Sequence, residues 1–263
     1  MKPNLTTTSK ITWCPGCPNA QILVSLRQAI EGMVVGGKLK IENLVMCAGI
    51  GCHGKITDYM NVNTFTGLHG RVIPAMTGVK CANPELIVIG SCGDGDAFSE
   101  GLEHLVHAAR RNSDIKIFVH DNQLFALTIG QASSTSPKGF KGKSTPFGST
   151  EDPFNPLLTM LSVGATFVAR TYAGDIQGTK RIIEAAIAHK GFSFVDIIQP
   201  CITFFDTRDF VKERIFWIDE KESVNDLNKA MMAVNRSDDK MPLGIFYNAE
   251  KETFEEALGK VGV

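Results

Sequence analysis

Short apolar runs alternate with helical patterns over most of this sequence, and this alternation narrows the possible folds more than any other feature. The apolar runs, which predict buried strands, are residues 44–48, 86–89, 115–119, 165–170 and 194–198. The helical patterns are residues 20–33, 72–80, 99–111 and 179–189. Strand–helix–strand units place successive strands parallel in one sheet. We therefore expect an α/β fold with a doubly wound, mostly parallel sheet, and 263 residues are enough for its core.

The chain changes character after residue 205. Residues 207–222 are charged and aromatic, residues 225–234 have a helical pattern, and residues 242–247 are apolar. We expect a first domain over residues 1–205 and a C-terminal arm or lid over residues 206–263 that packs on this domain or on a partner. Within the first domain, residues 131–156 are rich in Ser, Thr, Gly, Pro and Lys, which predicts a long functional loop.

Composition and charge exclude several classes of function. The net charge of −1 gives no electrostatic footprint for nucleic acid or for an anionic membrane, so we expect neither as a partner. No apolar run is long enough to span a bilayer, and residues 1–10 lack the apolar core of a signal peptide. We expect a cytoplasmic protein, in which the seven cysteines are metal ligands, reactive thiols or core residues rather than disulfides.

Glycines and polar residues follow four of the predicted strands, at residues 49–52, 93–96, 121–122 and 199–201. In parallel sheets, ligands bind beyond the carboxyl ends of the strands. These four junctions are therefore expected to form a single site.

The segment Gly93-Asp94-Gly95 is typical of a phosphate site that needs a cation. Glycines let the backbone approach a phosphate, whereas the carboxylate of Asp94 would repel it unless Mg²⁺ bridges the two. Asn122 supplies a second oxygen from the next strand end, with 26 residues between it and Gly95. The alternative is a tight turn with Asn122 as a capping residue. The two features together favour the metal–diphosphate site.

The cysteine pattern predicts a second metal centre. Cys14 and Cys17 form a C-x-x-C pair that can bind one metal ion or cluster, and a closed site needs two more ligands. Zinc and an iron–sulfur cluster both satisfy this count, and a thioredoxin-type dithiol is disfavoured because no strand precedes the pair. The other candidates are Cys47, Cys52, Cys81, Cys92 and Cys201. Cys52 and Cys201 follow strand ends, whereas Cys47 and Cys81 are expected to be small core residues, and Cys92 adjoins the diphosphate loop.

Seven short motifs occur in one order that resembles the beta subunit of archaeal and bacterial 2-oxoacid:ferredoxin oxidoreductases, over residues 11–205. They are Trp13-Cys14-Pro15-Gly16-Cys17, Gly49-Ile50-Gly51-Cys52, Leu68-His69-Gly70-Arg71, Gly93-Asp94-Gly95-Asp96, Arg110-Arg111-Asn112, Asp121-Asn122 and Gln199-Pro200-Cys201. The resemblance implies a fold of the thiamine-diphosphate-binding (PP) type.

The resemblance also implies a set of site residues. One [4Fe–4S] cluster would be bound by Cys14, Cys17, Cys52 and Cys201. Mg²⁺ would be held by Asp94, Asn122 and the carbonyl of Leu124. Thiamine diphosphate would contact these Mg²⁺ ligands together with Ile50, Gly51, Cys52, His69, Gly70, Gly93, Gly95, Asp96 and Thr128. Lys55 matches a catalytic lysine near the substrate carboxylate, although a solvated surface lysine is an equal alternative.

Several positions depart from the family pattern. Pro18 and His53 stand where Gly and Ser are usual, Phe125-Ala126 replaces Tyr-Gly, and Ile129 replaces a lysine of some members. We expect His53 to be a hydrogen-bonded structural residue. The departures leave the 2-oxo acid open among pyruvate, 2-oxoglutarate, branched-chain and aryl substrates.

The activity implied by the resemblance is oxidative decarboxylation of a 2-oxo acid to acyl-CoA and CO₂, with electrons passed through the cluster to ferredoxin. Thiamine enzymes also need a second domain that binds the aminopyrimidine, so an alpha subunit is expected. Some members of the family add a gamma chain and a small ferredoxin-like chain. Two other hypotheses stay open: a non-oxidative thiamine enzyme of the acetolactate synthase or decarboxylase type, and a non-enzymatic, zinc-stabilised scaffold subunit.

Overall fold

A computed structural model describes residues 2–219, 225–235 and 239–262, which form an α/β fold around an eight-stranded sheet. Its strands are β1 (Leu44–Ala48), β2 (Asn63–Thr66), β3 (Ile87–Gly93), β4 (Ile115–Asp121), β7 (Phe167–Tyr172), β8 (Ser193–Ile198), β9 (Ile215–Trp217) and β10 (Met241–Asn248). Between β4 and β7, a small antiparallel pair consists of β5 (Leu124–Phe125) and β6 (Gln131–Ala132). The strand order in the large sheet is β2-β1-β3-β4-β8-β7-β10-β9. Every neighbouring pair is parallel except β7 and β10.

Helices cover both faces of the sheet. They are α1 (Asn19–Val35), α2 (Ile56–Tyr59), α3 (Val72–Ala82), α4 (Leu102–Arg111), α5 (Pro156–Ser162), α6 (Ile176–Ala188), α7 (Arg208–Lys212), α8 (Leu227–Val234) and α9 (Phe254–Lys260). None of the helices in the described ranges combines the length and the apolar composition that a membrane crossing requires.

Two apolar layers, one on each face, form the core. Successive side chains of a strand point to opposite faces, so Phe118 packs in the layer under α1 and α6, whereas Ile117 and Val119 pack in the layer under α3, α4, α5 and α8. The expected doubly wound, mostly parallel sheet is therefore confirmed.

The five predicted strands and four predicted helices all form, with ends displaced by a few residues. The helix expected from residue 99 begins at Leu102, because Gly95–Glu100 form a wider π-helical turn before it. The predicted loop over residues 131–156 is mostly irregular, apart from β6 at its start.

The C-terminal region adds strands that the sequence pattern did not predict. The apolar residues 242–247 lie in β10, which pairs with β7 in the main sheet. The helical pattern at residues 225–234 forms α8, and its side chains Ala230 and Val234 join the core. Of the charged and aromatic segment, residues 220–222 lie outside the described ranges. The division at residue 205 stays a prediction.

Four parallel strands end at the same edge of the sheet. Ala48 of β1 is in register with Ser91 of β3, Gly93 is in register with His120 of β4, and Asp121 is in register with Ile198 of β8. The loops that follow these strands therefore start side by side, which places the four polar junctions of the sequence together.

Candidate active site

The carboxylate of Asp94 lies at the centre of this edge and is 1% exposed. Its Oδ2 accepts hydrogen bonds from the hydroxyls of Ser133 and, at 3.0 Å, of Thr135, and its Oδ1 accepts one from the backbone N–H of Asn122 at 3.4 Å. Burial raises the pKa of Asp94 to about 6. A cation beside this carboxylate would remove the cost of burying its charge, so the residues present fit a bound Mg²⁺.

Asn122 contacts Asp94 directly, as the 26-residue spacing predicted. Asn122 is 9% exposed, and its Oδ1 accepts a hydrogen bond from the backbone N–H of Leu124 at 3.2 Å. Leu124 is buried at the start of β5. The structure thus brings together the three residues that the resemblance assigned to Mg²⁺.

A cavity of about 60 Å³ lies over this group. It is lined by the predicted cofactor residues Ile50, Gly51, Cys52, His69, Gly93, Asp94, Gly95, Asp96, Asn122, Leu124 and Thr128. It is also lined by His53, Phe125, Ala126 and Leu127, which the cofactor prediction did not include. We call it the diphosphate cavity. The ring of Phe125 packs directly on Gly95, so that a Cβ atom at position 95 would lie 2.3 Å from the ring.

Asp96 ties two loops of the diphosphate cavity together. Its Oδ1 accepts hydrogen bonds from the backbone N–H groups of Gly70 at 2.8 Å and Ile50 at 3.5 Å. Gly70 itself does not line the cavity. Glycine is required at position 49, because a Cβ there would lie 1.8 Å from Asp96 Oδ2.

Two histidines flank the Asp96 carboxylate. His69 Nδ1 lies 3.2 Å from Oδ1, and His53 Nε2 lies 3.5 Å from Oδ2. His53 is 5% exposed, yet neither its Nε2 nor Asp96 Oδ2 has a hydrogen-bond partner among the described residues. At this nitrogen the expectation of a hydrogen-bonded His53 is not met, since its contact with Asp96 Oδ2 is an ion-pair distance without hydrogen-bond geometry. Buried polar atoms without partners at the cavity wall fit a polar ligand such as a diphosphate.

Sequence reasoning missed several polar residues of this site. Ser133 and Thr135 come from the predicted functional loop. The composition of that loop does not predict which of its hydroxyls contact Asp94. The Thr135 hydroxyl also lies 2.9 Å from Asp121 Oδ1, and it can donate to only one of the two carboxylates at a time. Burial, and then the charge of Asp94, raises the pKa of Asp121 well above its usual range. His120 lies within β4, and its apolar sequence neighbours gave no sign of a polar role. Its Nδ1 is 2.7 Å from Asn19 Oδ1.

A second cavity, of about 190 Å³, lies beside the first, and we call it the cysteine cavity. Its lining includes Cys14, Cys17, Cys52 and Cys201. Burial, and then the neighbouring charge of Cys17, raises the pKa of Cys52 to about 11, with smaller contributions from Cys201 and Cys14. Burial also raises the pKa of Cys17. A cationic metal centre would stabilise Cys17 and Cys52 as thiolates.

The spacing of the four cysteines can be compared with what a single metal ion requires. Tetrahedral zinc with its usual Zn–S bonds holds its sulfur atoms roughly 3.8 Å apart. Among the residues that the structure describes, no three His, Cys, Asp or Glu side chains are grouped so that they could hold one metal ion. The four cysteines instead surround an open cavity, which fits a larger multi-iron group better than it fits zinc.

Local contacts hold the Cys14–Cys17 turn in place. The backbone N–H of Cys17 donates to the carbonyl of Cys14 at 3.0 Å, and Gly16 takes a φ of +81° between them. The indole Nε1 of Trp13 donates to the carbonyl of Cys52 at 2.6 Å. This contact ties the N-terminal segment to the loop after β1.

All seven cysteines, each within the described ranges, are free thiols. Cys47 and Cys92 are buried on the other face of the sheet from Cys17 and Cys52. The prediction that Cys81 is a core residue is wrong, because it is exposed. The face of α3 that packs inward carries Val72, Ile73, Met76 and Lys80, and Cys81 lies off that stripe.

Lys55 lines the cysteine cavity rather than the diphosphate cavity. Its Nζ donates to the carbonyl of Thr12 at 3.3 Å. The two cavities share Cys52, Asn122, Ala126 and Leu127 as lining residues, and Lys55 follows Cys52 by three residues.

Comparison with known families agrees with this arrangement. The family described as "Thiamine pyrophosphate enzyme, C-terminal TPP binding domain" matches residues 49–197. The family that describes the C-terminal part of the pyruvate ferredoxin oxidoreductase beta chain matches residues 201–262. The first match contains every residue that lines the diphosphate cavity, and the second contains Cys201 and most of the C-terminal region. Cys14 and Cys17 lie before both matches.

Individual relatives point the same way. The chain is 41% identical to a 2-oxoacid:ferredoxin oxidoreductase subunit beta of Sulfolobus sp, over 94% of this chain and 85% of that one. It is 39% identical to 2-oxoacid:ferredoxin oxidoreductase 2, subunit beta, of Aeropyrum pernix, over 97% and 86%. Among solved structures, 2-oxoglutarate:ferredoxin oxidoreductase from Magnetococcus marinus, with 2-oxoglutarate, coenzyme A and succinyl-CoA bound, has a TM-score of 0.94 and 35% identity, covering 98% of this chain and 88% of that one.

Proposed function

Because the chain belongs to the 2-oxoacid:ferredoxin oxidoreductase family, as a beta subunit, we propose that its two cavities hold the cofactors of that reaction. The chain is a subunit of an oxidoreductase that acts on 2-oxo acids. The non-oxidative and zinc-scaffold hypotheses find no support in these relatives.

In the proposed diphosphate site, Mg²⁺ is bound by the carboxylate of Asp94, the side-chain oxygen of Asn122 and the carbonyl of Leu124. The hydroxyls of Ser133 and Thr135 orient the Asp94 carboxylate through hydrogen bonds. Gly93 and Gly95 let the backbone approach the diphosphate. When bound, thiamine diphosphate supplies the nucleophile and the electron sink for loss of CO₂ from a 2-oxo acid.

The remaining residues of the diphosphate cavity position the cofactor. Asp96 holds the loops at Ile50 and Gly70 together through its carboxylate. Gly51, His69 and Thr128 form the cavity wall, with Thr128 itself fixed by a 2.6 Å hydrogen bond to Gln131.

In the proposed cluster site, Cys14, Cys17, Cys52 and Cys201 bind one [4Fe–4S] cluster. The observation that supports this is that all four thiols line one cavity. The cavity shares Cys52 and Asn122 with the diphosphate cavity, so electrons would have a short path between the two cofactors. We propose ferredoxin as the acceptor beyond the cluster.

We propose Lys55 as the residue that attracts the carboxylate of the 2-oxo acid. Its position three residues after Cys52, which lines both cavities, supports this role, because it places a cation in the cysteine cavity without occupying the diphosphate cavity. Coenzyme A would accept the acyl group, as the ligands of the Magnetococcus marinus enzyme suggest.

An alpha subunit would complete the diphosphate site. Sites for small molecules and cofactors usually enclose roughly 300–1,000 Å³, well above the 60 Å³ of the diphosphate cavity. We therefore propose that a partner chain supplies the rest of the wall. We also propose that residues 206–263 form a C-terminal arm that packs on the first domain and on a partner, in keeping with the pairing of β10 and β7.

The observation that carries this proposal is the contact between Asp94 and Asn122 beside a cavity lined by four cysteines. The test is to purify the chain with its alpha partner under anaerobic conditions and assay a panel of 2-oxo acids with coenzyme A and a viologen dye. We expect a brown protein that contains iron and thiamine diphosphate and reduces the dye only when both substrates are present. A colourless, iron-free complex without dye reduction would refute the proposal.

A further inference from the structure

Gln199 is a buried amide between the two cavities. It follows β8, is 1% exposed, and is anchored by its backbone N–H, which donates to the carbonyl of Asp121 at 2.8 Å. Its side chain lines the cysteine cavity. Cys201 follows it by two residues, so the same short segment carries a proposed cluster ligand.

The two ends of the Gln199 amide contact different residues: one end contacts Cys17, and the other contacts Asn122, which lines both cavities. Its Nε2 lies 3.9 Å from Cys17 Sγ, a distance at which sulfur accepts a hydrogen bond, and 3.3 Å from the carbonyl of Pro200. Its Oε1 accepts a hydrogen bond from Asn122 Nδ2 at 3.4 Å. Turning the amide over would put an oxygen against the Cys17 sulfur and two N–H groups against each other. The chemistry of its neighbours therefore selects one orientation.

The orientation of Asn122 depends on this contact. Its Nδ2 donates to Gln199, and its Oδ1 accepts from the backbone N–H of Leu124. Because both ends of the Asn122 amide have these partners, the second lone pair of Asn122 Oδ1 is free to bind a cation.

We propose that Gln199 is a positioning residue that couples the cluster site to the Mg²⁺–diphosphate site through its side-chain amide. This inference rests on the proposed function of the two cavities. A donor to a cluster sulfur stabilises the added negative charge of the reduced cluster and so raises its reduction potential.

The coupling follows from polarisation along the two amides. Asn122 would hold Mg²⁺ through its Oδ1, and the bound cation would make the Nδ2–H of Asn122 a stronger donor to Gln199. Gln199 Nε2–H then becomes a stronger donor to Cys17, because hydrogen bonds in a chain polarise one another. Loading the diphosphate site with Mg²⁺ should therefore raise the reduction potential of the cluster.

The experiment measures two quantities on the anaerobic complex with its alpha partner. One is the midpoint potential of the cluster, followed by EPR, with the complex stripped of Mg²⁺ and thiamine diphosphate and then reloaded with both. The other is the dissociation constant of thiamine diphosphate at saturating Mg²⁺. In the native complex, we expect reloading to shift the potential upward.

Two substitutions separate the two ends of the amide. Gln199→Leu removes both contacts, so it should lower the potential, abolish the shift on reloading, and raise the dissociation constant on the order of 10-fold. Gln199→Glu keeps an oxygen for Asn122 but places a carboxylate beside Cys17, so it should lower the potential while binding stays near native. Gln177→Leu is the control, because Gln177 on α6 is exposed, hydrogen bonds to Gln28 and lines neither cavity.

The outcomes distinguish this inference from the function on which it rests. A native complex without cluster or bound thiamine diphosphate would overturn both. A native complex with both cofactors, in which Gln199→Leu leaves potential and binding unchanged, would overturn the coupling alone. If Gln199→Leu does not yield folded complex, Gln199→Glu decides the matter, and an unchanged potential in that variant contradicts the inference.

Discussion

At the scale of single residues, the site contains several carboxyl groups close together. The protein places no Lys or Arg hydrogen bond on the central one, Asp94. Asp94, Asp96 and Asp121 lie within a few residues of two strand ends, and Asp94 and Asp96 are almost fully buried. Hydroxyl and backbone donors hold the Asp94 carboxylate, but none of these donors carries a positive charge. This explains why burial dominates its pKa and why a divalent cation is the natural partner.

The charge of Asp94 can be tested by Asp94→Asn, which keeps the size of the side chain. We expect binding of thiamine diphosphate with Mg²⁺ to weaken by more than about 100-fold, since the change removes a direct metal ligand and not an outer contact. Iron content should stay near normal, because Asp94 does not line the cysteine cavity. Asp58→Asn, at an exposed position on α2, is the matched control. Isothermal titration of the complex measures the affinity for thiamine diphosphate in the two variants, and iron analysis measures the cluster. Native affinity in Asp94→Asn would refute the metal role.

A second residue-scale prediction concerns His189, which lies outside the site. Burial, and then the charge of Lys116, lowers its pKa to about 4, and its ring hydrogen bonds to Thr166 and Asn248. The folded form therefore favours the neutral ring. The contribution of the neutral His189 ring to the free energy of unfolding is fully present above the ordinary pKa of about 6.5, and it is lost as the pH falls towards 4. Discounted for partial solvent exposure, the loss is roughly 2 kcal/mol.

His189→Gln should flatten this pH dependence. Urea unfolding of the native chain and of the variant between pH 7 and pH 5 gives the comparison. We expect the free energies of unfolding of the native chain and the variant to converge as the pH falls. If the two free energies instead fall in parallel, another group is responsible for the pH dependence.

At the scale of secondary-structure elements, the site depends on loops that follow β1, β3, β4 and β8 on one edge of the sheet. The sequence pattern predicted this edge because each strand is apolar and each following loop is not. It did not predict the N-terminal segment's position, which depends on contacts such as that of Trp13 with the loop after β1. Nor did it predict which face of the sheet each cysteine occupies.

The proposed cluster ligands Cys17 and Cys52 pack on one face of the sheet, whereas Cys47 and Cys92 pack on the other. Cys201→Ala should abolish or degrade the cluster, as seen by visible absorbance and iron analysis of the anaerobic complex. Cys81→Ala should leave both unchanged, because Cys81 is exposed on α3 and lines neither cavity. An intact cluster in Cys201→Ala would require a fourth ligand from elsewhere, and Cys47 and Cys92 are both buried on the opposite face.

Asn112 links several elements at the other end of the sheet. It ends α4 with a φ of +57°, is fully buried, accepts from Phe192 and Thr166, and donates to the two carbonyls of residues 251 and 252. Asn112→Ala removes all four hydrogen bonds and keeps a left-handed backbone that alanine disfavours.

We expect Asn112→Ala to lower the free energy of unfolding by about 3–5 kcal/mol in urea titrations. Asn83→Ala, at the exposed end of α3, should cost about 1 kcal/mol or less. Equal effects of the two substitutions would show that the buried network contributes little.

At the scale of the whole molecule, the chain presents a partly built site. The diphosphate cavity is small, and the exposed apolar residues Ile50 and Leu127 line it. Two more exposed apolar residues, Ile129 and Phe204, line the neighbouring cysteine cavity. A surface of this kind is expected where another chain covers it.

Completion of the site by the partner predicts a difference in thermal stabilisation. Adding Mg²⁺ and thiamine diphosphate at about 100 times the dissociation constant should stabilise the assembled complex by about 2.7 kcal/mol. For chains of this size, that corresponds to a rise in melting temperature of about 5–10 °C. The beta chain alone should show little shift at the same concentrations. An equal shift in the isolated chain would mean that it builds the whole site itself.

The sequence by itself determined the parallel α/β class, the shared edge of the sheet and the pairing of Asp94 with Asn122. These follow from local periodicity and from the rule that parallel strands end together, so short-range pattern is sufficient. Tertiary structure decided which hydroxyls reach Asp94, that β10 joins the sheet, that His53 faces Asp96, and that Gln199 contacts both Cys17 and Asn122. Those features depend on contacts between residues far apart in the chain, such as Asp94 with Thr135 and Cys17 with Gln199, and no local pattern specifies such distances.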